Sequence, residues 1–349
     1  MSSRDTFSSD FQDFRIPDAL RGASTVKRES RVDYIWDTHG NYEGFLFNMR
    51  KLWLIDSAWN WIGKHRRLIL IGDIYADRHF GSIQTAQHIE KLMAQWAQID
   101  QLAGNHEDVM LSLFDHVHHP HESVINYFTQ VFLTWKPRDI EEYSGLQEFA
   151  SFKKNASKTQ SWQSLLIQLK PETILQRMRA LKKWQKVLTN ICRLQVGKVL
   201  NDTLFVHTDP VDGMIDILEQ YDWDIEKINA IFRAFLVQTL REGKHNKDLI
   251  EEAFKIRAYF LNADNRRTND EDTPLLSHGA AGKLKTKLNI RRIIHGHTDH
   301  VHEQTIFRGG LEITSADNSS FKRWNKDPWN TCISAGSILQ NGHRIGPKE

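Results

Sequence analysis

The sequence has few cysteines, little net charge and no long apolar run. Cys192 and Cys332 are the two cysteines in 349 residues, too few for a disulfide framework or a zinc site built from thiolates, so we expect a reducing compartment. No apolar segment approaches the roughly 20 residues that span a bilayer, and the polar first 29 residues lack the apolar core of a signal peptide. These absences argue against a membrane protein or a disulfide-rich secreted protein, and a cytoplasmic location is expected.

The net charge of +2 is too small to predict binding of nucleic acid by the surface as a whole, and no nucleic-acid partner is expected. The charge is nevertheless uneven, since residues 151–200 contain eleven Lys or Arg and a single acidic residue, Glu172. This basic segment is expected to be either a solvated helical face or a docking surface for an acidic partner or an anionic membrane.

Short apolar runs predict strands, and stretches with apolar residues every three or four positions predict helices. Strand-like runs at 32–36, 68–71 and 99–103 alternate with helical patterns over 44–63 and 83–97. Trp53, Trp59 and Trp61 lie in the first helical pattern, where their spacing favours packing in the core or against a helix over a base-stacking platform. Further strands are predicted at 197–207, with a turn at Asn201-Asp202, and at 291–295, 304–308, 311–315, 331–338 and 342–345.

The order of these patterns predicts an α/β fold, a β-sandwich of mixed sheets flanked by helices, with a helical insertion at about 109–196. Residues 1–30 are rich in serine and charged residues, have no periodicity and are expected to form a flexible leader. Residues 31–349 are then expected to form one catalytic domain that contains the insertion.

Polar residues that can bind metal follow the predicted strands directly. The candidates are Asp37, His39, Asp73, Asn105, His207 and His297. Because ligands bind at the carboxyl ends of strands in α/β sheets, we expect these side chains to meet. Oxygen and imidazole ligands without sulfur suit manganese, iron or zinc. Six ligands are too many for one ion with an open position, but they fit two ions that share a carboxylate.

Each of these motifs alone has an ordinary structural explanation. An Asp-x-His or a Gly-Asp after a strand is typical of a turn, and Asn105 is a residue type that caps helices. The complete set, with a predicted strand ahead of each member, is what indicates a functional site.

The same motifs resemble those of a known family, the calcineurin-like metallophosphoesterases, and within it the phosphoprotein phosphatase branch. The matching motifs are Asp37-Thr38-His39, Gly72-Asp73 with Asp77-Arg78, Gly104-Asn105-His106-Glu107, His207 and Gly296-His297-Thr298. The resemblance is close over 32–107 and implies the metallophosphoesterase type of β-sandwich. The long helical segment and the altered motif edges also resemble divergent bacterial effector phosphatases, and such an effector is delivered into a host cell.

The resemblance implies two divalent metal ions, with manganese expected and iron or zinc as alternatives. The first ion is expected on Asp37, His39 and Asp73, and the second on Asp73, Asn105, His207 and His297. Phosphate binding is assigned to Arg78, Asn105 and Arg266, the last of these chosen over Arg257 and Arg267.

His106 is expected to donate a proton to the leaving oxygen, and Asp77 to hold His106 in the orientation for that transfer. The reaction implied by the resemblance is hydrolysis of phosphomonoesters, on phosphoprotein substrates, by direct attack of a metal-bridging hydroxide. Two alternatives stay open at this point. One is a dinucleoside polyphosphate hydrolase, and the other is a catalytically idle phosphoesterase fold that acts as a binding module.

Overall fold

The computed structural model of the protein describes residues 31–75, 81–112, 182–244, 246–261, 276–297, 304–315, 335–339 and 344–345. The strands are β1 Arg31–Trp36, β2 Arg67–Ile71, β3 Gln98–Leu102, β4 Gly197–Leu200, β5 Thr203–Val206, β6 Arg292–His295, β7 Gln304–Arg308, β8 Leu311–Ser315, β9 Ala335–Leu339 and β10 Arg344–Ile345. The helices are α1 Tyr42–Lys51, α2 Ser82–Ala94, α3 Asn105–Ser112, α4 Lys182–Ile191, α5 Asp212–Gln220, α6 Ile225–Leu236, α7 Lys247–Phe260 and α8 His278–Lys287. A π-helical turn, Val237–Glu242, follows α6 directly.

The first sheet has the strand order β10-β9-β1-β2-β3, in which β1, β2 and β3 are parallel and β9 and β10 are antiparallel additions. Leu68 and Leu70 of β2 belong to the core cluster that contains the apolar faces of the helices. Ile69 and Ile71 of β2 belong to a second cluster, together with Phe205 of β5. A strand covered on both faces explains why β2 is a continuous apolar run rather than an alternating one.

The second sheet has the strand order β4-β5-β6-β8-β7, with β5, β6 and β8 parallel. The hairpin between β4 and β5 turns at Asn201, whose φ of 55° is left-handed, as expected for Asn in a two-residue hairpin loop. Phe205 of this sheet packs against Ile69 and Ile71 of the first sheet. The predicted fold class, an α/β sandwich of mixed sheets flanked by helices, is therefore confirmed.

Helices α1 and α2 both begin beside the edge of the sheet where β1 and β2 end. Asn41 caps α1, and its side chain accepts a hydrogen bond from the N–H of Gly44 at 2.9 Å. Gly81, at the start of α2, donates its N–H to the carbonyl of Gly40 at 2.8 Å. Since each helix leads back to the start of the next parallel strand, the C-terminal turns of α1 and α2 lie toward the opposite edge.

The first predicted helix is too long, and the packing predicted for Trp53 is wrong. Helix α1 ends at Lys51 rather than near residue 63, and residues 52–63 form a loop. The carboxylate of Asp56 accepts hydrogen bonds from the N–H groups of Ala58 and Asn60, which favours a loop over a helix. Trp53 is 74% exposed, whereas Trp59 and Trp61 are partly buried against the core as predicted.

Several predictions fall outside the described residues. These include the leader at 1–30, residues 113–181 of the predicted insertion, and residues 331–334 and 342–343 of two predicted strands. Helices α3 and α4 are described at the two ends of the insertion, and the division into leader, domain and insertion stays a prediction. No helix in the described part of the chain is both long and apolar enough to cross a membrane.

Candidate metal centre

The chain turns sharply where strands end at one edge of the sandwich. Asp37, His39, Asp73 and His297 each have a left-handed backbone, with φ of 43°, 45°, 46° and 68°. Residues other than glycine are strained in the left-handed region of backbone conformation, and such strain is concentrated at functional sites. Four of the six predicted ligands therefore share this uncommon backbone conformation.

Asp73 lies at the centre of the site and is buried. Its Oδ2 is 3.8 Å from His39 Nε2 and 3.7 Å from His106 Nε2. Its Oδ1 is 3.5 Å from His207 Nε2 and accepts a hydrogen bond from the backbone N–H of His106 at 3.0 Å. The two oxygens of one carboxylate thus face different histidines.

Two groups of side chains bring their ligand atoms within 4.8 Å of one another. One group contains His39, Asp73 and His106, and the other contains Asp73, His207 and His297. Asp73 is common to both groups. His106 stands with His39, because their rings meet edge to face with centroids 4.7 Å apart.

Asp37 is directed toward the second group. Its Oδ2 accepts a hydrogen bond from the backbone N–H of His297 at 3.2 Å, and its Oδ1 is 3.6 Å from His207 Nδ1. The structure therefore brings Asp37 into the site, but beside His207 and His297 rather than in the group of His39 and Asp73.

The tautomer of His207 leaves a lone pair facing the site. Its Nδ1 lies 2.9 Å from the carbonyl oxygen of Ile71, which can only accept, so Nδ1 carries the proton when the ring is neutral. Its Nε2 then lies 3.0 Å from Asn105 Oδ1 and 3.5 Å from Asp73 Oδ1. Three acceptor atoms converge here, and a cation among them would remove the repulsion between their lone pairs.

The charges of the site also suit a metal. Burial by itself would raise the pKa of Asp73, yet the imidazoles around it hold that pKa well below its usual range, so Asp73 is ionised. Burial lowers the pKa of His207 to about 4, although Asp73 opposes the shift, so the imidazole is neutral near pH 7. Metal ligands must be deprotonated, and both residues meet that requirement.

Two glycines give the ligands their space. Gly72 has a left-handed φ of 78°, and a Cβ on it would overlap the ring of His207. A Cβ on Gly104 would overlap the carboxylate of Asp73. The glycine that precedes Asp73 and the glycine that precedes Asn105 are thus required by close approach. Together with the donor set, this cradle fits divalent cations.

Glu107 has a structural role that sequence reasoning did not assign, although the residue was part of a recognised motif. Its Oε1 accepts hydrogen bonds from the N–H groups of Ile74 and Tyr75, and its Oε2 accepts from Gly104, all at 2.8 Å. Burial, followed by the nearby charge of Asp73, raises the pKa of Glu107 to about 7. Glu107 thereby joins the loop after β2 to the loop after β3.

A buried pair, His295 and Asp209, was also missed. His295 Nδ1 is 3.1 Å from Asp209 Oδ1, and both side chains are largely buried. Asp209 follows His207 by two residues, and His295 precedes His297 by two. No sequence signal marked the pair, because its members lie in segments far apart in the chain, but together they join the two segments that carry His207 and His297.

Arg257, an alternative for the second phosphate-binding arginine, lies in the interior. It is 2% exposed, its Nε donates to Asp108 Oδ1, and its guanidinium lies over the ring of Phe235, 5.2 Å from the centroid. These contacts fasten α7 to α3 rather than present the guanidinium to solvent. The assigned residues Asp77, Arg78 and Arg266 lie outside the described residues and stay predictions.

No family model and no curated protein matches the chain. Among solved structures, the cold-active protein tyrosine phosphatase of the psychrophile Shewanella sp. is similar, with 16% identity, a TM-score of 0.50, and coverage of 91% of this chain and 80% of that one. Another structure of a cold-active protein tyrosine phosphatase has 16% identity and a TM-score of 0.51, with coverage of 92% of this chain and 79% of that one. A serine/threonine phosphatase from Saccharomyces cerevisiae has 13% identity and a TM-score of 0.40, with coverage of 90% of this chain and 74% of that one. At such identities the first two similarities show a shared fold.

Proposed function

We propose that the protein is a dinuclear metal-dependent phosphatase that hydrolyses phosphomonoesters on phosphoproteins. The observation that carries the proposal is the position of Asp73, whose carboxylate belongs to both ligand groups. A carboxylate shared between two ions is the arrangement used for in-line displacement at phosphorus. The names of the structural neighbours, which are phosphatases, agree with this choice of chemistry.

The proposed ligands are those predicted from the sequence. Asp37, His39 and Asp73 would hold one cation, and Asp73, Asn105, His207 and His297 the other. For Asp37 this assignment follows the sequence resemblance, since the contacts described above join it to His207 and His297. Divalent cations, when bound, neutralise phosphate charge and acidify the water that attacks phosphorus. The preference for manganese over iron or zinc is part of the proposal.

The chain itself is proposed to supply the proton and fixed charges. His106 stands at the first turn of α3, where the helix N-terminus favours anionic groups, and its side chain is 14% accessible. In this position His106 gives a proton to the leaving oxygen, and Asp77 orients its ring. Arg78 binds the phosphate oxygens through its planar guanidinium, assisted by Asn105 and Arg266.

The proposal is tested by chelation and a substrate panel. Protein freed of metal should lose hydrolysis of p-nitrophenyl phosphate and recover it with Mn²⁺. Phosphoserine, phosphothreonine and phosphotyrosine peptides are then compared with diadenosine tetraphosphate, and we expect a phosphopeptide to be the best substrate. Full activity in verified metal-free protein would contradict the metal-dependent chemistry. Preference for the dinucleotide would replace the substrate class but retain the chemistry.

A further inference from the structure

The edge of the first sheet opposite the metal centre carries exposed apolar side chains. They are Trp53 (74% exposed), Ile62 (43%) and Trp96 (87%). We call these three residues the tryptophan face. Large exposed apolar groups that cluster on a soluble protein mark interaction surfaces.

Trp53 occupies a position at the end of α1 that normally favours glycine. Its N–H donates to the carbonyl of Arg50 at 2.8 Å, and the N–H of Leu54 donates to the carbonyl of Met49 at 2.9 Å. These two bonds form a Schellman motif, in which the residue after the C-cap is left-handed and is usually glycine. Trp53 has a φ of 55° and therefore bears the strain that glycine would avoid.

Trp96 repeats this arrangement at the end of α2. Its N–H donates to the carbonyl of Met93 at 3.0 Å, the N–H of Ala97 donates to the carbonyl of Leu92 at 3.1 Å, and its φ is 68°. Two neighbouring helices thus place an exposed tryptophan at the position where glycine would be more stable. Because neither ring contributes much to packing, folding does not account for the choice of residue.

Hydrogen bonds hold the parts of the tryptophan face together. The N–H of Trp61, which precedes Ile62, donates to the side chain of Gln95, which precedes Trp96, at 2.8 Å. Lys91 of α2 donates to the carbonyl of Trp59 at 3.0 Å, in the same loop. The loop and the end of α2 therefore form one continuous, fixed surface.

The surroundings of the tryptophan face are basic. The exposed cations are Arg50, Lys51, Lys64 and Lys91. Within the described part of the chain none of them forms an ion pair; Arg50 lies over the ring of Trp59, 3.6 Å from its centroid. Asp56 is the single acidic residue in segments 44–66 and 91–98, and its carboxylate is engaged by backbone N–H groups of its own loop.

We propose that the tryptophan face docks the protein on an anionic membrane surface. Tryptophan favours the membrane–water interface, and lysine and arginine beside it bind anionic headgroups. Trp53 and Trp96 are the most exposed side chains of this face, and a lipid interface accepts such projecting side chains without a preformed pocket. Because the metal centre lies at the other ends of the parallel strands, docking in this way leaves it facing the solution.

The test is co-sedimentation of the full-length protein with vesicles. Vesicles of phosphatidylcholine with phosphatidylserine at about 7:3 supply the anionic surface, and pure phosphatidylcholine is the neutral comparison. We expect binding to the anionic vesicles that weakens as salt rises. The double variant Trp53→Gly/Trp96→Gly should bind at least about tenfold more weakly while its melting temperature stays equal or rises, since glycine relieves the strained φ.

Two further variants test the role of the basic residues and the specificity for the tryptophan face. Lys51→Glu/Lys64→Glu should weaken binding and reduce its dependence on salt. Phe307→Ser, at a residue of β7 that is 76% exposed, is the matched aromatic control and should bind like the wild type. Wild-type protein that stays in the supernatant at low salt would overturn the proposal, whatever protein partner is found for this surface. Wild-type binding by the glycine double variant would overturn it as well, because attachment would then occur elsewhere.

Discussion

His106 donates its backbone N–H to one oxygen of Asp73, and its imidazole lies near the other. If His106 is the general acid, its removal should matter most where the leaving group is poor. General acid catalysis contributes about 10²–10⁴-fold where a proton is needed. We therefore expect His106→Asn to slow hydrolysis of phosphoserine peptides by roughly this factor and hydrolysis of p-nitrophenyl phosphate much less, as measured by the two rates side by side.

The position of His106 beside His39 provides a direct alternative, in which the imidazole binds metal. In that case the two substrates should lose the same factor and the protein should lose bound metal. Elemental analysis of His106→Asn separates the two roles, and a uniform rate loss with a metal deficit would show that the acid is assigned wrongly.

His88 of α2, whose ring lies against Tyr42 and Phe45, is expected to make a pH-dependent contribution to stability. Burial, followed by the charge of Lys91, lowers the pKa of His88 to about 4. The unfolded chain then binds the proton more readily, so stability is lost as pH falls from about 6.5 to 4. The loss from this residue is up to about 3 kcal/mol.

The variant His88→Leu should abolish this part of the pH dependence, because leucine has no proton to bind and suits the neighbouring ring of Phe45. Urea denaturation gives the free energy of unfolding of both proteins at pH 7 and at pH 4.5. The difference between the two proteins at pH 7 measures the effect of the changed packing alone. An identical fall in stability for both proteins would contradict the assignment.

At the scale of elements, the ends of β5 and β6 are joined twice. At one end Asp209 contacts His295 beside the metal centre, and at the other end Asp202 pairs with Arg291 and Arg292. Residues that support metal ligands typically change metal affinity by about 10–100-fold when they are replaced. We expect Asp209→Ala to weaken Mn²⁺ binding by such a factor, measured by competition with a chromogenic chelator.

Asp202→Ala is the matched control, because it separates the same two strands at the end away from the metal. We expect it to lower the melting temperature while metal affinity stays near that of the wild type. Equal metal affinity in Asp209→Ala and the wild type would show that the His295 contact does not support the ligands.

Strands were predicted closely from the sequence, whereas the end of α1 was not. β7 and β8 have the predicted bounds, because their apolar runs are closed by the Gly309-Gly310 turn. The end of α1 depends on Trp53 in a left-handed conformation, which its residue type does not favour. Local pattern therefore could not predict this boundary, nor the exposure of the ring.

At the scale of the whole molecule, the approach of the candidate ligands could be predicted because they follow strands that end at one edge. The sequence predicted which residues approach one another, and the structure brings the six proposed ligands to that edge. Pairings across distant segments, such as Asp209 with His295 or Asp108 with Arg257, could not be predicted, because no single segment contains both partners.

The same topology separates the metal centre from the tryptophan face. Parallel strands place all their C-terminal ends at one edge, where Asp37 and Asp73 lie, and their N-terminal ends at the other. Helices α1 and α2 connect the two edges. Changes at Trp53 and Trp96 are accordingly expected to leave hydrolysis of p-nitrophenyl phosphate in solution unchanged, which steady-state rates of the double glycine variant would check.

The sharing of Asp73 between two ions is tested most directly by counting bound metal. Elemental analysis after reconstitution with Mn²⁺ should give two ions per chain for the wild type and for Asp216→Asn, an exposed control on α5. Asp37→Asn, at a ligand of one site, should retain one ion, whereas Asp73→Asn should lose both. Two ions retained in folded Asp73→Asn, or a wild type that binds no more than one, would contradict a dinuclear centre bridged by this carboxylate.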